Sequence, residues 1–158
     1  MLQTAVVGVG FIGAEHIEAI RRTNLATVAA IVGRSPEQTE QKAKALGIPA
    51  FYTDYDAVLQ DPSIQVIHIC TPNHLHYAMA RKALFAGKHV VCEKPMTMTR
   101  AEAVEAIGRG IALTRQLAAE GYGLVATGEM GIGNTTTSSA VAAVLLAQPV
   151  QTMTGRGA

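Results

Sequence analysis

Short apolar runs rich in β-branched residues alternate with amphipathic stretches along this chain. "TAVVGVG" (4–10) predicts a first strand, and Ala14–Arg22 a helix behind it. "ATVAAIVG" (26–33) reads as a second strand. "SPEQTEQKAKALG" (35–47) then reads as a helix, with Ser35 as N-cap, Pro36 at its first position, Gln38 closing a capping box and Gly47 ending it. "AFYTD" (50–54) is a short third strand, and Tyr55–Gln60 a single helical turn. "IQVIHIC" (64–70) has almost no polar alternation, as a strand covered on both faces should. A helix over 74–87 stops at Gly87, and "KHVVCEK" (88–94) forms a fifth strand. Thr99 and Glu102 have capping-box spacing at the start of a long helix ending near Glu120. Its Val104, Ile107, Ile111, Leu113 and Leu117 fall mostly at three- and four-residue steps. "YGLVATG" (122–128) predicts a sixth strand, Asn134–Leu146 a last helix, and the tail a loop.

Strand–helix alternation over the whole length predicts parallel strands joined by helical crossovers. The expected fold is α/β: one Rossmann-like domain with a doubly wound, six-stranded parallel sheet of order 3-2-1-4-5-6 in three α/β/α layers. A chain of 158 residues can build one core unaided. Its 49% apolar and 16% charged residues argue against disorder. A net charge of +1 gives no electrostatic footprint for nucleic acid or acidic membranes, and 4% aromatics with no Trp leave little for base stacking. No apolar run approaches the ~20 residues of a membrane helix. The opening "MLQTAVVGVGFIG" lacks a basic leader segment and reads as strand and turn. Cys70 and Cys92 both follow apolar strands and are expected as reduced, buried thiols, which fits a cytoplasmic protein. The sixth strand sits at an edge, so a monomer or weak homodimer is expected.

The chemistry begins at "VVGVGFIG". Gly8-x-Gly10-x-x-Gly13 lies after a strand and before a helix. In that context the first glycine permits a tight turn, the second a close approach of pyrophosphate, and the third close helix–strand packing. The helix start through Phe11 and Ile12 adds unpaired N–H groups and partial positive charge. The second strand ends in Gly33, Arg34 and Ser35, where an NAD-binding domain would carry an acidic residue. A guanidinium beside a hydroxyl fits a ribose 2′-phosphate, so NADP is the expected cofactor and NAD the alternative. His74 and His76, two apart at a helix start, share no face, and no cysteine or carboxylate cluster joins them, so no metal site is expected. His68, within an apolar strand, is expected as a satisfied core histidine.

With "VVGVGFIGAEHIEAI" and "VIHICTPNHLHYAMARKALFAGKHVVCEKPMTMT", residues 1 to about 97 resemble the N-terminal half of the glucose–fructose oxidoreductase / inositol dehydrogenase (Gfo/Idh/MocA) family. The resemblance implies that Thr71, Pro72 and Asn73 lie along the cofactor. It also implies that Glu93 and Lys94 approach the nicotinamide, with Lys94 orienting the reacting oxygen, and that Pro95 follows a strained or cis bond. Family members continue into a second α/β domain that supplies the substrate pocket and the acid/base residue.

A second glycine-rich loop, "GEMGIGNTT" (128–136), precedes the last helix, and "TGRG" (154–157) follows it. This pair closely resembles an internal segment of the nicotinate-nucleotide–dimethylbenzimidazole phosphoribosyltransferases. The resemblance implies contacts to a ribose phosphate by Glu129, Gly131, Gly133 and Asn134, and it covers about a sixth of such an enzyme. The general-base segment of that family has no counterpart here, so this anion site is expected to be vestigial. Natural fusions join whole domains through linkers. Two families meeting inside one sheet, around Pro95–Ala101, therefore predict an engineered chimera. It would retain a small-molecule nucleotide site but no complete catalytic site, with Lys94 itself vestigial; the alternatives are a truncated NADP-dependent oxidoreductase of the Gfo/Idh/MocA type and a phosphate- or mononucleotide-binding module built on 131–134.

Overall fold

The computed structural model describes residues 1–121. Five strands, β1 (Leu2–Val7), β2 (Ala26–Val32), β3 (Ala50–Tyr52), β4 (Val66–Ile69) and β5 (His89–Cys92), form one sheet of order β3-β2-β1-β4-β5. Every pairing is parallel. Helices α1 (Phe11–Thr23), α2 (Pro36–Ala45), α3 (Tyr55–Gln60) and α4 (His76–Phe85) alternate with the strands, and α5 (Arg100–Ala119) follows β5. Met1–Arg109 make one compact unit. A second begins at Gly110, inside α5, and its described part is the rest of that helix with Glu120 and Gly121.

The period-two alternation of the strands sends side chains to two separate cores. From β1, Val6 joins Val28 and Ile31 of β2, Ile17 and Ile20 of α1, and Ala43 of α2. Ala5 and Val7 face the other way, with Ala30, Val32, Ile67 and Ile69, onto Val58 of α3 and Ala80 and Ala83 of α4. The sheet is thus covered on both faces. This explains why β1 and β4 read as continuous apolar runs: both of their sides are inside.

The expected strand sequence and the order 3-2-1-4-5 are present; the predicted sixth strand (122–128) and last helix (134–146) lie outside the described residues. Some boundaries differ from the sequence reading. The first strand starts at Leu2 and stops before Gly8, and α1 begins at Phe11 rather than Ala14, because Gly10 already holds the extended N-cap conformation (φ −74°, ψ −162°). The third strand is only three residues long. Asp54, assigned to it, instead caps α3, its carboxylate accepting the Asp56 N–H at 2.9 Å. The helix expected from His74 opens as a 3-10 turn, Asn73–Leu75, before α4.

The Ser35 N-cap and the Thr99/Glu102 box form as read, but among the described residues the Gln38 side chain makes no return bond to the Ser35 amide, so the first box stays half closed. Ser35 Oγ accepts the Gln38 N–H at 3.4 Å. Thr99 Oγ1 accepts the Glu102 N–H at 3.2 Å, while the Glu102 carboxylate accepts the Thr99 N–H at 3.1 Å. The α5 helix buries no residue, and its apolar positions Val104 and Ile107 are exposed. No helix among the described residues is long and apolar enough to cross a membrane.

Candidate dinucleotide site

Strand order reverses between β1 and β4, and a crevice opens at that point beyond the carboxyl ends of a parallel sheet. Here it is a cleft of about 990 Å³, bounded by the ends of β1, β2 and β4. Three glycines shape its floor in three different ways. Gly8 has φ +90°, and a Cβ there would stand 2.5 Å from the Cys70 carbonyl oxygen, so only glycine allows β1 to turn beside β4. A Cβ on Gly13 would run into the Gly8 carbonyl oxygen; Gly13 is buried and lets α1 press against the loop. Gly10 differs, since a Cβ there would meet nothing within 4 Å. The room in front of Gly10 belongs to the cleft, which it lines together with Gly8, Phe11 and Ile12.

Gly10 is also the N-cap of α1, with no side-chain cap and no acidic residue in the first turn. The first intrahelical bond runs from the Ala14 N–H to the Gly10 carbonyl, so the preceding amides have no partner within the helix. These donors, with the positive end of the helix dipole, make the loop an anion site. Phe11 is 78% exposed, so its side chain stands at the rim while its backbone serves the loop.

The second wall is the end of β2 and the start of α2. Gly33, Arg34 and Ser35 all line the cleft, as do Gln38, Thr39 and Lys42. Residues 35, 38, 39 and 42 follow one face of a helix, so the capped start of α2 turns a polar stripe inward. Arg34 is exposed and makes no ion pair among the described residues. The Lys42 ammonium donates to the carbonyl of Val9, inside the glycine loop. Glu37 is the nearby opposing charge, and its carboxylate accepts a hydrogen bond from Ser35 Oγ at 3.1 Å. Lys42 and Gln38 were not among the sequence candidates, although their spacing from Ser35 already placed them on its face.

The third wall is the loop after β4. Thr71 and Pro72 line the cleft, whereas Asn73 forms the following 3-10 turn and does not. Tyr55 of α3 supports this side, its hydroxyl donating to the Met79 carbonyl at 2.9 Å. Burial first, then the charges of Cys92 and Asp56, hold that phenol protonated well above its usual range. Burial likewise pushes the Cys70 thiol up to about 12 and Cys92 to about 11, with the Glu93 charge adding to both. At neutral pH both stay thiols, which removes them as nucleophiles.

Glu93 and Lys94 stand beyond β5 and do not line this cleft. Glu93 is turned toward α1, where its carboxylate lies 3.1 Å from His16 Nε2. That hydrogen bond, with the Lys94 amide and the Lys94 charge, holds the Glu93 carboxyl below the usual carboxylate range against its own burial. His16 Nδ1 in turn lies 3.0 Å from His68 Nδ1, the two rings meeting edge to face. Burial, and then the neighbouring His16, push His68 down to about 4. His68 is therefore neutral near pH 7, and the chain Glu93–His16–His68 links the Lys94 segment to α1 and β4. His16 was missed in the sequence; its place three residues after Gly13 was the available signal. Lys94 itself is exposed, and the Lys94–Pro95 bond is cis. His74 is exposed and His76 is buried with both ring nitrogens on backbone carbonyls, so the two do not converge. The second-loop candidates Glu129, Gly131, Gly133 and Asn134 lie outside the described residues.

Residues 2–116 match the oxidoreductase family with an NAD-binding Rossmann fold, Gfo/Idh/MocA. The chain belongs to that family. It is 34% identical over 109 residues to the levoglucosan dehydrogenase of Pseudarthrobacter phenanthrenivorans, covering 64% of this chain and 28% of the relative. A solved structure of levoglucosan dehydrogenase with NADH and levoglucosan is 32% identical, with a TM-score of 0.64 over 70% of this chain and 32% of that one. The scyllo-inositol dehydrogenase of Lactobacillus casei, solved with NAD(H) and scyllo-inositol, is 29% identical, with a TM-score of 0.63 over 73% of this chain and 34% of that one. The chain thus spans about a third of the length of these relatives. A further likeness is of another kind. Over 65 residues, 41% of this chain, it is 55% identical to the nicotinate-nucleotide–dimethylbenzimidazole phosphoribosyltransferase of Acetivibrio thermocellus, covering 18% of that enzyme. A 65-residue match is longer than the stretch that follows Gln116, so the two likenesses overlap within the chain.

Proposed function

We propose that the described domain binds NADP(H) in preference to NAD(H), with the adenosine 2′-phosphate at Arg34 and Ser35. The observation that carries this reading is the chemistry at the end of β2. The cleft there is lined by Gly33, Arg34, Ser35 and Lys42, and no carboxylate lines it. A ribose 2′-hydroxyl held by an acidic residue is the usual NAD arrangement, and two cations with a hydroxyl suit a phosphate. The pyrophosphate would lie against Gly10 and the first amides of α1, and the nicotinamide end would run past Thr71 and Pro72. Glu37 limits the net positive charge, so the preference is a ratio rather than an exclusion.

In this reading the chain is a composite. A Gfo/Idh/MocA cofactor half is joined to a segment that resembles a phosphoribosyltransferase, and the described half binds the nucleotide. Lys94 is then a remnant of hydride-transfer machinery, held in place but lacking a substrate partner among the described residues. Titration calorimetry with NADPH and NADH on the wild type and on Arg34→Asp tests the assignment. Replacing a charge-assisted contact by a repulsive one should weaken NADPH about 10- to 100-fold while leaving NADH equal or tighter. Equal losses for both nucleotides would remove Arg34 from the 2′-phosphate site.

A further inference from the structure

His76 is the most deeply buried ionisable side chain of the domain, 1% exposed, and it plays no part in the cleft. Its Nε2 lies 2.8 Å from the Thr71 carbonyl oxygen and its Nδ1 lies 2.8 Å from the Pro95 carbonyl oxygen. Both partners can only accept, since each is a backbone carbonyl. A neutral imidazole carries one N–H, so one of the two contacts would then set a nitrogen lone pair against an oxygen lone pair. Only the imidazolium donates to both. The two carbonyls belong to separate loops, one on the cleft wall before Pro72, the other just after Lys94.

We propose that His76 is a positioning residue that, as a doubly protonated imidazolium, clasps the loop at Thr71 to the loop at Pro95 and so fixes where Lys94 stands relative to the cleft. The far side of the same segment is already held, because Glu93 is bonded to His16. Lys94 therefore sits between two histidine anchors, one from α1 and one from α4, although its own side chain reaches solvent. The clasp belongs to the two loops and stands whichever nucleotide the cleft prefers.

Among the described residues no carboxylate pairs with His76. Glu93 is committed to His16 and the Lys94 amide. Glu102 accepts from the Met98 and Thr99 amides. The hydroxyl of Tyr77, next along α4, is drawn to Glu105. Lys94 is exposed, Cys70 and Cys92 remain thiols, and the start of α4 places a helix N-terminus beside the ring. Among the described residues the charge is thus held by the two carbonyl dipoles.

Nuclear magnetic resonance of the full chain with labelled histidine, followed from pH 5 to pH 9, tests this, with His76 assigned by through-bond correlation and checked against His76→Gln. At the acid end, both ring N–H groups of His76 should give slowly exchanging signals. Each signal should show a coupling across its hydrogen bond, one to the carbonyl carbon of Thr71 and the other to that of Pro95. A single ring N–H at every pH would overturn the imidazolium. Two ring N–H signals with no coupling to either carbonyl would overturn the clasp.

Discussion

The three glycines of the first loop have the same side chain and different jobs. Gly8 is required by its positive φ and by the Cys70 carbonyl, and Gly13 by the Gly8 carbonyl; both restraints lie inside the folded chain. Gly10 has open space in front of it. Gly10→Val should therefore leave the unliganded melting temperature within a few degrees and abolish binding of NADPH. Gly8→Ala should cost about 1–3 kcal/mol before any ligand is added, because it strains the turn itself. Melting curves with and without NADPH separate the two, and a Gly10→Val protein that still responds to NADPH would place the pyrophosphate elsewhere. The order Gly-x-Gly-x-x-Gly was legible in the sequence. So was the job expected of each glycine; what the sequence could not name were the atoms each missing Cβ would strike, the Cys70 and Gly8 carbonyl oxygens. His68 sets a second test at this scale. Its proton affinity falls on folding, to about 4, so the unfolded chain takes up a proton that the folded chain refuses. Stability is then present above pH 6.5 and is lost as pH falls from 6.5 toward 4. Glu93 acts in the same direction, its lowered carboxyl losing its contribution as pH falls through its folded value. In urea unfolding, His68→Gln should shrink the loss between pH 7 and pH 4.5 by about 2 kcal/mol. An unchanged pH slope would mean that His68 is not held neutral by the fold.

Among the elements, those anchored by burial on two faces were the ones readable from pattern. The alternation of β1 and β4 places Val6 in one core and Ala5 and Val7 in the other, so the run had to be a central strand. Boundaries were less legible because they are set by local bonds. Asp54 leaves β3 to cap α3, and Gly10 starts α1 three residues before its apolar face begins. The inward stripe of α2 was present in the spacing of Ser35, Gln38, Thr39 and Lys42, but only the course of the glycine loop shows that Lys42 reaches Val9. The α5 helix is the opposite case, with good capping, apolar spacing and no buried residue. Gly108 lies inside it, where a Cβ would meet nothing within 4 Å. Gly108→Ala should therefore stabilise the protein by about 0.5–1 kcal/mol, through the helix alone. Loss of stability in that variant, read from the urea midpoint, would show that Gly108 has a packed neighbour.

Across the whole molecule, the doubly wound sheet concentrates three chain segments at one switch point. The glycine loop offers amides, Arg34 before α2 and Lys42 on its inward face offer cations, and the loop after β4 completes the wall. None of these could bind a dinucleotide alone, and the parallel order of the strands brings them together. The second glycine-rich stretch, at 128–136, lies outside the described residues, and we propose no working nucleotide for it. Thermal melting of the chain with NADPH, NADH and nicotinate mononucleotide decides between the two loops most directly. At 100-fold excess over its dissociation constant, NADPH should stabilise the fold by about 2.7 kcal/mol, a rise of roughly 5–10 °C. NADH at the same concentration should give a smaller rise, and the mononucleotide none. A rise with the mononucleotide and none with NADPH would contradict the account.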